Sequence, residues 1–354
     1  MDLPQTWLNQ ILVDRAADET WQPLAVQTLL EDELRAKAFG ITPENVGEVI
    51  KARSHLLRSV YPALSQCQNT LNLQPSQLLE NAWNLWLPLA MQLASYRQQL
   101  GRPLIQGILG GQGTGKTTLA AILTLILSQL GYRTLSLSLD DLYKTYSDRL
   151  VLREQDPRLV WRGPPGTHDI QLGLTLLEQL RQPVQTTSIQ VPRFDKSAWE
   201  GAGDRQAPEV VESVDIVLFE GWFVGVRPLN PDAFDTAPPP IVTAADRMFA
   251  RDINTRLKDY VPLWERLDRL ILLYPADYHL SLEWRRQAEH RMIAYQDTGM
   301  SDAEVQQFVE YFWRSLHPDL FIRPLVKLPS LVDLVIEINL DHSAGAVYRP
   351  GDVT

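Results

Sequence analysis

The residues most able to do chemistry form a phosphate-binding loop. The pattern G-x-x-x-x-G-K-[ST] is complete, at Gly110, Gly115, Lys116 and Thr117. In such a loop backbone N–H groups surround phosphate oxygens, the lysine reaches the β and γ phosphates, and the hydroxyl binds Mg²⁺. We therefore predict nucleotide binding through Gly110, Gly111, Gly113, Thr114, Gly115, Lys116, Thr117 and Thr118. The alternative is a glycine turn that binds nothing.

The loop needs a strand before it and a helix after it, and the apolar pattern predicts both. Residues 104–109 are short and mostly aliphatic, as in a buried parallel strand, and residues 118–130 show the apolar pattern of a helix. Further strands are predicted at 134–139, 214–219, 270–274 and 331–338. We expect an α/β fold with a mostly parallel sheet of about five strands, flanked by helices.

Two acids follow predicted strands. Asp140 comes after 134–139, and Glu220 after 214–219. Ligands of open α/β sheets bind beyond the carboxyl ends of the strands, where a carboxylate can accept the proton of an attacking hydroxyl or help to hold Mg²⁺. We predict Asp140 as the base, Glu220 as support for metal or substrate, and both, with Thr117, as metal ligands. A simple turn or helix cap is an equal alternative for Asp140. For Glu220 the alternative is a solvated strand end. This alternative is weaker, because a charged side chain that follows an aliphatic run must reach a polar place or be paired.

Composition excludes several classes of protein. The 33 basic and 43 acidic residues give a net charge of −10, and no basic stripe is present, so we expect no nucleic-acid partner. Cys67 is the only cysteine, which excludes an internal disulfide and a cysteine zinc site. No secretory signal or apolar run of about 20 residues is visible, so we expect a cytoplasmic protein without a membrane partner. Oligomeric state is not predicted.

Two regions are predicted along the chain. Residues 1–100 read as helices packed on the core, with Trp83, Trp86 and Leu89 on one buried stripe. Residues 101–354 read as the nucleotide-binding domain, with a lid at about 280–296. The helix that begins near Ser301 carries a capping box with Glu304.

Longer motifs carry a resemblance to a known family. The segments GGQGTGKTT at 110–118, SLDDLY at 138–143 and Glu220-Gly221 look like the P-loop kinase group of uridine kinase, phosphoribulokinase and pantothenate kinase. More particular are RGPPGTHDIQLG at 162–173, VPRFDKSAWEGAGDR at 191–205, and WRRQAE with GMSDAEVQQFVEYF within 284–312. Together they resemble the D-glycerate 3-kinase family of oxygenic photosynthetic organisms, over about 45–345. The resemblance implies a P-loop kinase fold, ATP as donor and a role in photorespiration.

The resemblance also implies an acceptor site. It suggests that Thr167, His168 and Asp169 line the pocket, where His168 could donate to a carboxylate or hydroxyl; the alternative is Asp169 as a helix cap and His168 on the surface. Glycerate is an anion and the chain is acidic overall, so cations are needed near the phosphates. We predict Arg193, Lys196 and Arg205 on a loop. The alternative is surface pairs of Lys196 and Arg205 with neighbouring aspartates.

The predicted lid supplies the last catalytic residue. In kinases of this group a mobile helix brings arginines over the transferring phosphate, which points first to Arg285. The alternative is a charged helix face. We predict a loop at 339–348, after the last strand, and the resemblance implies that it lies where related kinases cradle adenine.

The function implied is transfer of the ATP γ-phosphoryl group to the 3-hydroxyl of D-glycerate. Two alternatives stay open: another small-molecule kinase acting on a nucleoside or pantothenate, and an ATP-hydrolysing switch protein. Residue types alone leave 2- and 3-phosphorylation undistinguished.

Overall fold

The computed structural model describes residues 5–13, 21–68, 74–183, 187–296 and 299–353. Helices precede the first strand: α1 (Gln5–Val13), α2 (Gln22–Glu31), α3 (Glu33–Ala38), α4 (Val46–Gln66), α5 (Pro75–Asn81) and α6 (Leu87–Leu100). The predicted stripe of Trp83, Trp86 and Leu89 is buried. These helices share one apolar cluster with residues on one face of the sheet, such as Ile108 and Leu218. The boundary at residue 100 stays a prediction, because the helices and the sheet share this core.

The remaining elements alternate in the manner of an α/β protein. They are β1 (Leu104–Gly110), α7 (Lys116–Gln129), β2 (Thr134–Ser138), α8 (Tyr146–Gln155), α9 (Ile170–Leu180), β3 (Ile189–Asp195), β4 (Asp204–Val211), β5 (Ile216–Gly221), α10 (Ala244–Arg256), α11 (Val261–Trp264), β6 (Arg269–Pro275), α12 (Leu280–Gln296), α13 (Asp302–Ser315), α14 (Pro318–Phe321), β7 (Leu334–Ile338) and β8 (Ala344–Tyr348). In these residues no helix combines the length and apolar character needed to span a bilayer.

The main sheet has the order β2-β5-β1-β6-β7-β8 among the described residues. Strands β2, β5, β1, β6 and β7 run parallel, which confirms the prediction of a mostly parallel sheet of about five strands. Strand β8 pairs antiparallel with β7. The expectation of a plain loop at 339–348 was wrong, because residues 344–348 form β8. Its sequence AGAVY begins with residues of low strand propensity, which hid the strand.

A second sheet is a two-stranded hairpin of β3 and β4. The sequence predicts a loop at 191–205, but β3 continues to Asp195 and β4 begins at Asp204. A register shift between Val191 and Arg193 accommodates Pro192, since proline cannot donate to the ladder. The prediction was wrong because β4 is polar and mostly exposed, so no alternating apolar pattern marks it.

Local capping signals explain several helix boundaries. Asp169 caps α9 by accepting the N–H of Leu172 at 3.0 Å. Ser301 and Glu304 form the predicted capping box of α13. A further capping box of Thr243 with Asp246 begins α10.

Candidate active site

The phosphate loop joins β1 to α7, as predicted. Gly113 and Gly115 have φ angles of 79° and 83°, the left-handed region that favours glycine. A Cβ on Gly113 would lie 2.7 Å from Cβ of Trp284, so this turn also fits closely under α12. Lys116 Nζ donates to the carbonyl of Gly111 at 2.9 Å. The loop is thus held in a compact turn that a larger residue at position 113 would disturb.

Glu220 lies beside the first turn of α7. The Thr117 hydroxyl donates to Glu220 Oε1 at 3.1 Å, and β5 carries Glu220 between Ile108 of β1 and Ser138 of β2. Burial lowers the pKa of the Lys116 ammonium, while the negative charges of Glu220 and Asp140 oppose that effect. The structure therefore brings the predicted residues together: Thr117 is hydrogen-bonded to Glu220, and the charges of Glu220 and Asp140 act on Lys116.

The donor set suits Mg²⁺ bound together with nucleotide. In the described residues no group of three or more histidines, cysteines or carboxylates is arranged to hold a metal by itself. Mg²⁺ usually takes one or two protein carboxylates and completes its shell with phosphates and water. The adjacent oxygens of Thr117 and Glu220 fit that mode of binding.

Asp140 lies in the turn that follows β2. Its N–H donates to Ser138 Oγ at 3.2 Å, and its carboxylate is 2.7 Å from the Lys196 ammonium. Burial raises the pKa of Asp140, but the Lys196 charge and hydrogen bonds from Lys196 and Tyr143 outweigh it, so the pKa lies below the usual value. Asp140 is therefore ionised at neutral pH. Lys196, which is 64% exposed, reaches this carboxylate from the end of the hairpin.

His168 is buried beside Asp140, not on the surface. Tyr260 Oη accepts the N–H group of Gly166 at 2.9 Å and lies 2.7 Å from His168 Nδ1. We assign the Tyr260 hydroxyl as the donor to His168 Nδ1, because its hydrogen then has an acceptor while a lone pair accepts from Gly166. In this assignment His168 Nε2 carries the hydrogen, and this buried atom has no hydrogen-bond partner among the described residues. Burial lowers the pKa of His168 to about 3, so the ring is a neutral donor.

The two residues that flank His168 in the chain are used by the fold. The Thr167 hydroxyl donates to Pro164 O at 2.8 Å and accepts from the N–H of Gly163. Asp169 caps α9 and pairs with Arg205 at 2.9 Å. The capping alternative for Asp169 therefore accounts for one oxygen, and the ion pair for the other.

The two predicted arginines are also engaged in internal contacts. Arg193 is 2.8 Å from Asp141 and 2.6 Å from Glu209, and it donates to the carbonyl of Ser136. It thereby ties the hairpin to β2. Arg205 donates from Nε to the carbonyl of Tyr143 at 2.8 Å, besides its pair with Asp169. The structure thus brings Lys196 to Asp140 but holds both arginines with protein partners.

The helix predicted as a lid, α12, contacts the phosphate loop through Trp284. The Trp284 indole donates to Leu340 O at 2.9 Å and stacks on His342 at 4.8 Å, next to Gly113. Arg285 instead pairs with Glu289 at 2.5 Å and lies 5.2 Å from the centre of the Phe308 ring. The alternative of a charged helix face describes these contacts of Arg285.

Several residues around His168 were not predicted. Tyr143 stacks on His168 at 4.5 Å, and its position three residues after Asp140 in SLDDLY was the available signal. Tyr260 lies in a mostly apolar stretch of sequence, which gave no signal of its contact with His168. The charge of Lys144 acts on both His168 and Asp169. In the described ranges Lys144 forms no ion pair of its own, which leaves a half-buried cation beside the candidate acceptor site.

The chain is similar to known proteins in sequence and in fold. The chain is 31% identical over 258 residues to the chloroplastic D-glycerate 3-kinase of Arabidopsis thaliana, which covers 69% of this chain and 54% of that protein. The chain thus spans about half the length of this plant relative. It is also 31% identical over 245 residues to a probable ATP-dependent kinase of Saccharomyces cerevisiae, covering 65% of this chain and 81% of the yeast protein.

A solved structure extends the likeness to the fold. D-glycerate 3-kinase from Cryptococcus neoformans superposes with a TM-score of 0.65 at 28% identity, covering 74% of this chain and 99% of that one. No protein-family model matches the chain.

Proposed function

The chain belongs to the P-loop kinase family that includes D-glycerate 3-kinase and the yeast kinase, and from that premise we propose that it phosphorylates D-glycerate with ATP. The observation that carries the proposal is the position of Asp140. This ionised carboxylate is bonded to Lys196 on the acceptor side and acts electrostatically on Lys116 of the phosphate loop.

On the phosphate side, the loop amides and Lys116 hold the ATP phosphates. The contact of Lys116 Nζ with Gly111 O is exchanged for phosphate oxygens when ATP binds. Thr117 and Glu220 would hold Mg²⁺, which supplies neutralising charge on the β and γ phosphates. Their 3.1 Å contact supports this assignment.

Asp140 orients the acceptor hydroxyl and takes its proton as the phosphoryl group transfers. A low pKa is compatible with this role, because phosphoryl transfer passes through a loose transition state in which the hydroxyl proton leaves late. Positioning is then the larger contribution. The hydrogen bonds from Lys196 and Tyr143 support a fixed carboxylate.

D-Glycerate is recognised by groups that keep unused N–H donors. Lys196 is one of them, because its exposed ammonium has donors left beside its contact with Asp140. We assign its carboxylate to Lys196 and Lys144, and one of its oxygens to the neutral Nε2–H of His168. An unpaired buried N–H favours an acceptor that supplies an oxygen. We move Thr167, Asp169, Arg193 and Arg205 from substrate contacts to supports of the site, because their polar groups already have protein partners.

Arg285 remains our candidate for the group that closes over the transferring charge. This role requires its pair with Glu289 to open when ATP and acceptor are bound. The proposal also includes transfer to the 3-hydroxyl, a cytoplasmic location and a photorespiratory role, which the resemblance implies.

The test is ADP release with and without a panel of acceptors. We expect turnover with D-glycerate, none with uridine or pantothenate, and little ADP without acceptor. NMR of the product then locates the phosphate. Turnover with uridine or pantothenate instead would replace the substrate and keep the kinase, whereas acceptor-independent hydrolysis would favour a switch protein.

A further inference from the structure

The N-terminal helices enclose a cleft that the proposed catalysis does not use. Its volume is about 320 Å³, and it lies between α2, α3, α4 and the π-helical turn that precedes α6. Its polar lining includes Thr28, Asp32, Arg35, Arg53 and Asn84. Sites for small molecules begin at about this size.

Arg53 is a buried cation that has no carboxylate partner among the described residues. Its side chain comes from the middle of α4, and the residue is only 2% exposed. Nη1 donates to the carbonyl of Trp83 at 3.1 Å, the guanidinium lies 5.3 Å from the centre of the Trp83 ring, and Nε has no hydrogen-bond partner. Within the ranges that the structure describes, no acid forms an ion pair with Arg53. A buried charge in this condition is unfavourable unless a counter-ion reaches it.

The neighbouring charges do not provide that counter-ion. Arg35 adds a second guanidinium to the cleft, and within the described part of the chain its Nε is likewise buried without a partner. Asp32 caps α3 and is 3.3 Å from Arg35, and Glu31 accepts from Gln27 at 2.6 Å. Burial lowers the pKa of Arg53 to about 9, and the charge of Arg35 lowers it too. Arg53 therefore remains protonated at neutral pH.

We propose that this cleft binds a small oxyanion, a phosphate or carboxylate group, as the counter-ion of Arg53. The guanidinium fork suits both groups, because each presents two oxygens at the spacing of two N–H donors. Arg35 is the second contact. Its Nη2 also donates to Gly345 O of β8 at 2.8 Å, so an anion in the cleft would meet the helices where they join the edge of the sheet.

The test measures anion binding with the phosphate loop already filled. Inorganic phosphate and acetate are titrated separately into the full chain at saturating MgADP. Trp83, beneath the Arg53 guanidinium, is the reporter: its resonance in 5-fluorotryptophan-labelled protein is assigned with the Trp83→Phe variant. We expect a saturable shift of this resonance and a rise in Tm with at least one probe; the responding probe identifies the oxyanion.

Variants decide whether Arg53 is responsible. Arg53→Met should weaken anion binding by about tenfold or more, because the charge and the fork are both lost. Arg35→Met should weaken it less, and Lys51→Met, an exposed cation on the same helix, should leave it unchanged. Arg53→Lys keeps the positive charge but lacks the two parallel N–H donors of the guanidinium, so it should also weaken anion binding. This variant tests the role of Arg53 if Arg53→Met does not fold.

Three results would overturn the proposal. One is the absence of a saturable response to either anion. Another is equal binding by wild type, Arg53→Met and Arg53→Lys. The third is a response that persists in the Arg53 variants and disappears in Lys116→Met, since the anion would then occupy the phosphate loop. None of these depends on whether D-glycerate is the acceptor.

Discussion

The two sides of the candidate site are built differently. Apart from Glu220, the phosphate side is a continuous stretch of chain, in which β1, a glycine turn and α7 place Lys116 and Thr117 by local backbone geometry. The acceptor side is assembled from distant segments: Lys196 comes from the β3–β4 hairpin, and His168 is fixed by Tyr260, 92 residues away. Changes on the phosphate side should therefore affect the reaction with any acceptor. Changes on the acceptor side should affect D-glycerate and spare ATP binding.

The largest effect is expected at Asp140, where the two sides meet. Asp140→Asn should lower kcat by about 10²–10⁴-fold, because the amide cannot accept the hydroxyl proton. ATP binding should survive, as measured by equilibrium titration. Asp141→Asn is the matched control: this adjacent carboxylate binds Arg193 and the N–H of Ser138, so a much smaller loss is expected. Near-normal turnover of Asp140→Asn would remove it as the base.

Gly113 tests the phosphate side by itself. Gly113→Ala adds a Cβ that would meet Trp284 at 2.7 Å in a left-handed turn, so the loop must shift. We expect kcat/KM for ATP to fall by about 10²-fold, the usual cost of misplacing reacting groups by about 1 Å.

Gly131→Ala controls for backbone strain. It has a φ angle of 84° and no neighbour within 4 Å of the added Cβ. Equal kinetic losses in both variants would mean that the fit under α12 has no role in ATP binding.

His168 gives a pH test of the acceptor side. Its pKa is about 3 when folded and about 6.5 when unfolded, so the unfolded chain binds more protons between these values. The free energy of unfolding should therefore rise with pH through this window. Acidification from pH 7 to pH 5 should lower it by about 2 kcal/mol through this group.

Urea unfolding at pH 7 and pH 5 checks this prediction. His168→Gln should lose less stability than wild type between the two pH values, whereas His55→Gln, on an exposed part of α4, should behave as wild type. The same acid sensitivity in His168→Gln and wild type would contradict a buried neutral imidazole.

The contrast between the two sides also explains what could be predicted. Residues 110–118 and the cap at Asp169 are local patterns, and both were readable from spacing. Glu220 is 103 residues from Thr117, yet it was predicted because parallel strands end at one edge of the sheet.

The acceptor side offered weaker signals. Tyr260 looked like an ordinary core residue, and the polar strand β4 showed no apolar alternation. Arg193 had the right charge, but its partner Glu209 became visible only when the hairpin was formed. Residue type predicted which groups could bind an anion, whereas the availability of each group depended on contacts between distant segments.

Lys196 should show the separation between the two sides most directly. Lys196→Ala should raise KM for D-glycerate by about tenfold or lower kcat, because a charge-assisted contact is lost. KM for ATP should change little. Lys51→Ala, an exposed lysine on α4, is the matched control. Unchanged kinetics with D-glycerate would exclude Lys196 from the carboxylate site.

The smallest effect is expected at Tyr260, which acts only through His168. Tyr260→Phe removes the hydroxyl that donates to His168 Nδ1, so the hydrogen is no longer confined to Nε2. Only part of the molecules then present the Nε2–H donor of His168 to the substrate. KM for D-glycerate should therefore rise by about threefold to fivefold, which is close to the free energy of one neutral hydrogen bond.

A change of tautomer distinguishes this positioning role from a general loss of packing. Nitrogen NMR of labelled histidine should show Nε2–H in wild type and a mixture in Tyr260→Phe. Tyr311→Phe, buried in the same apolar cluster, should change neither the tautomer nor KM. If the tautomer changes and KM does not, His168 faces the site without contacting glycerate. In that case recognition of D-glycerate rests on Lys196 and Lys144, and the acceptor side selects its substrate by charge alone.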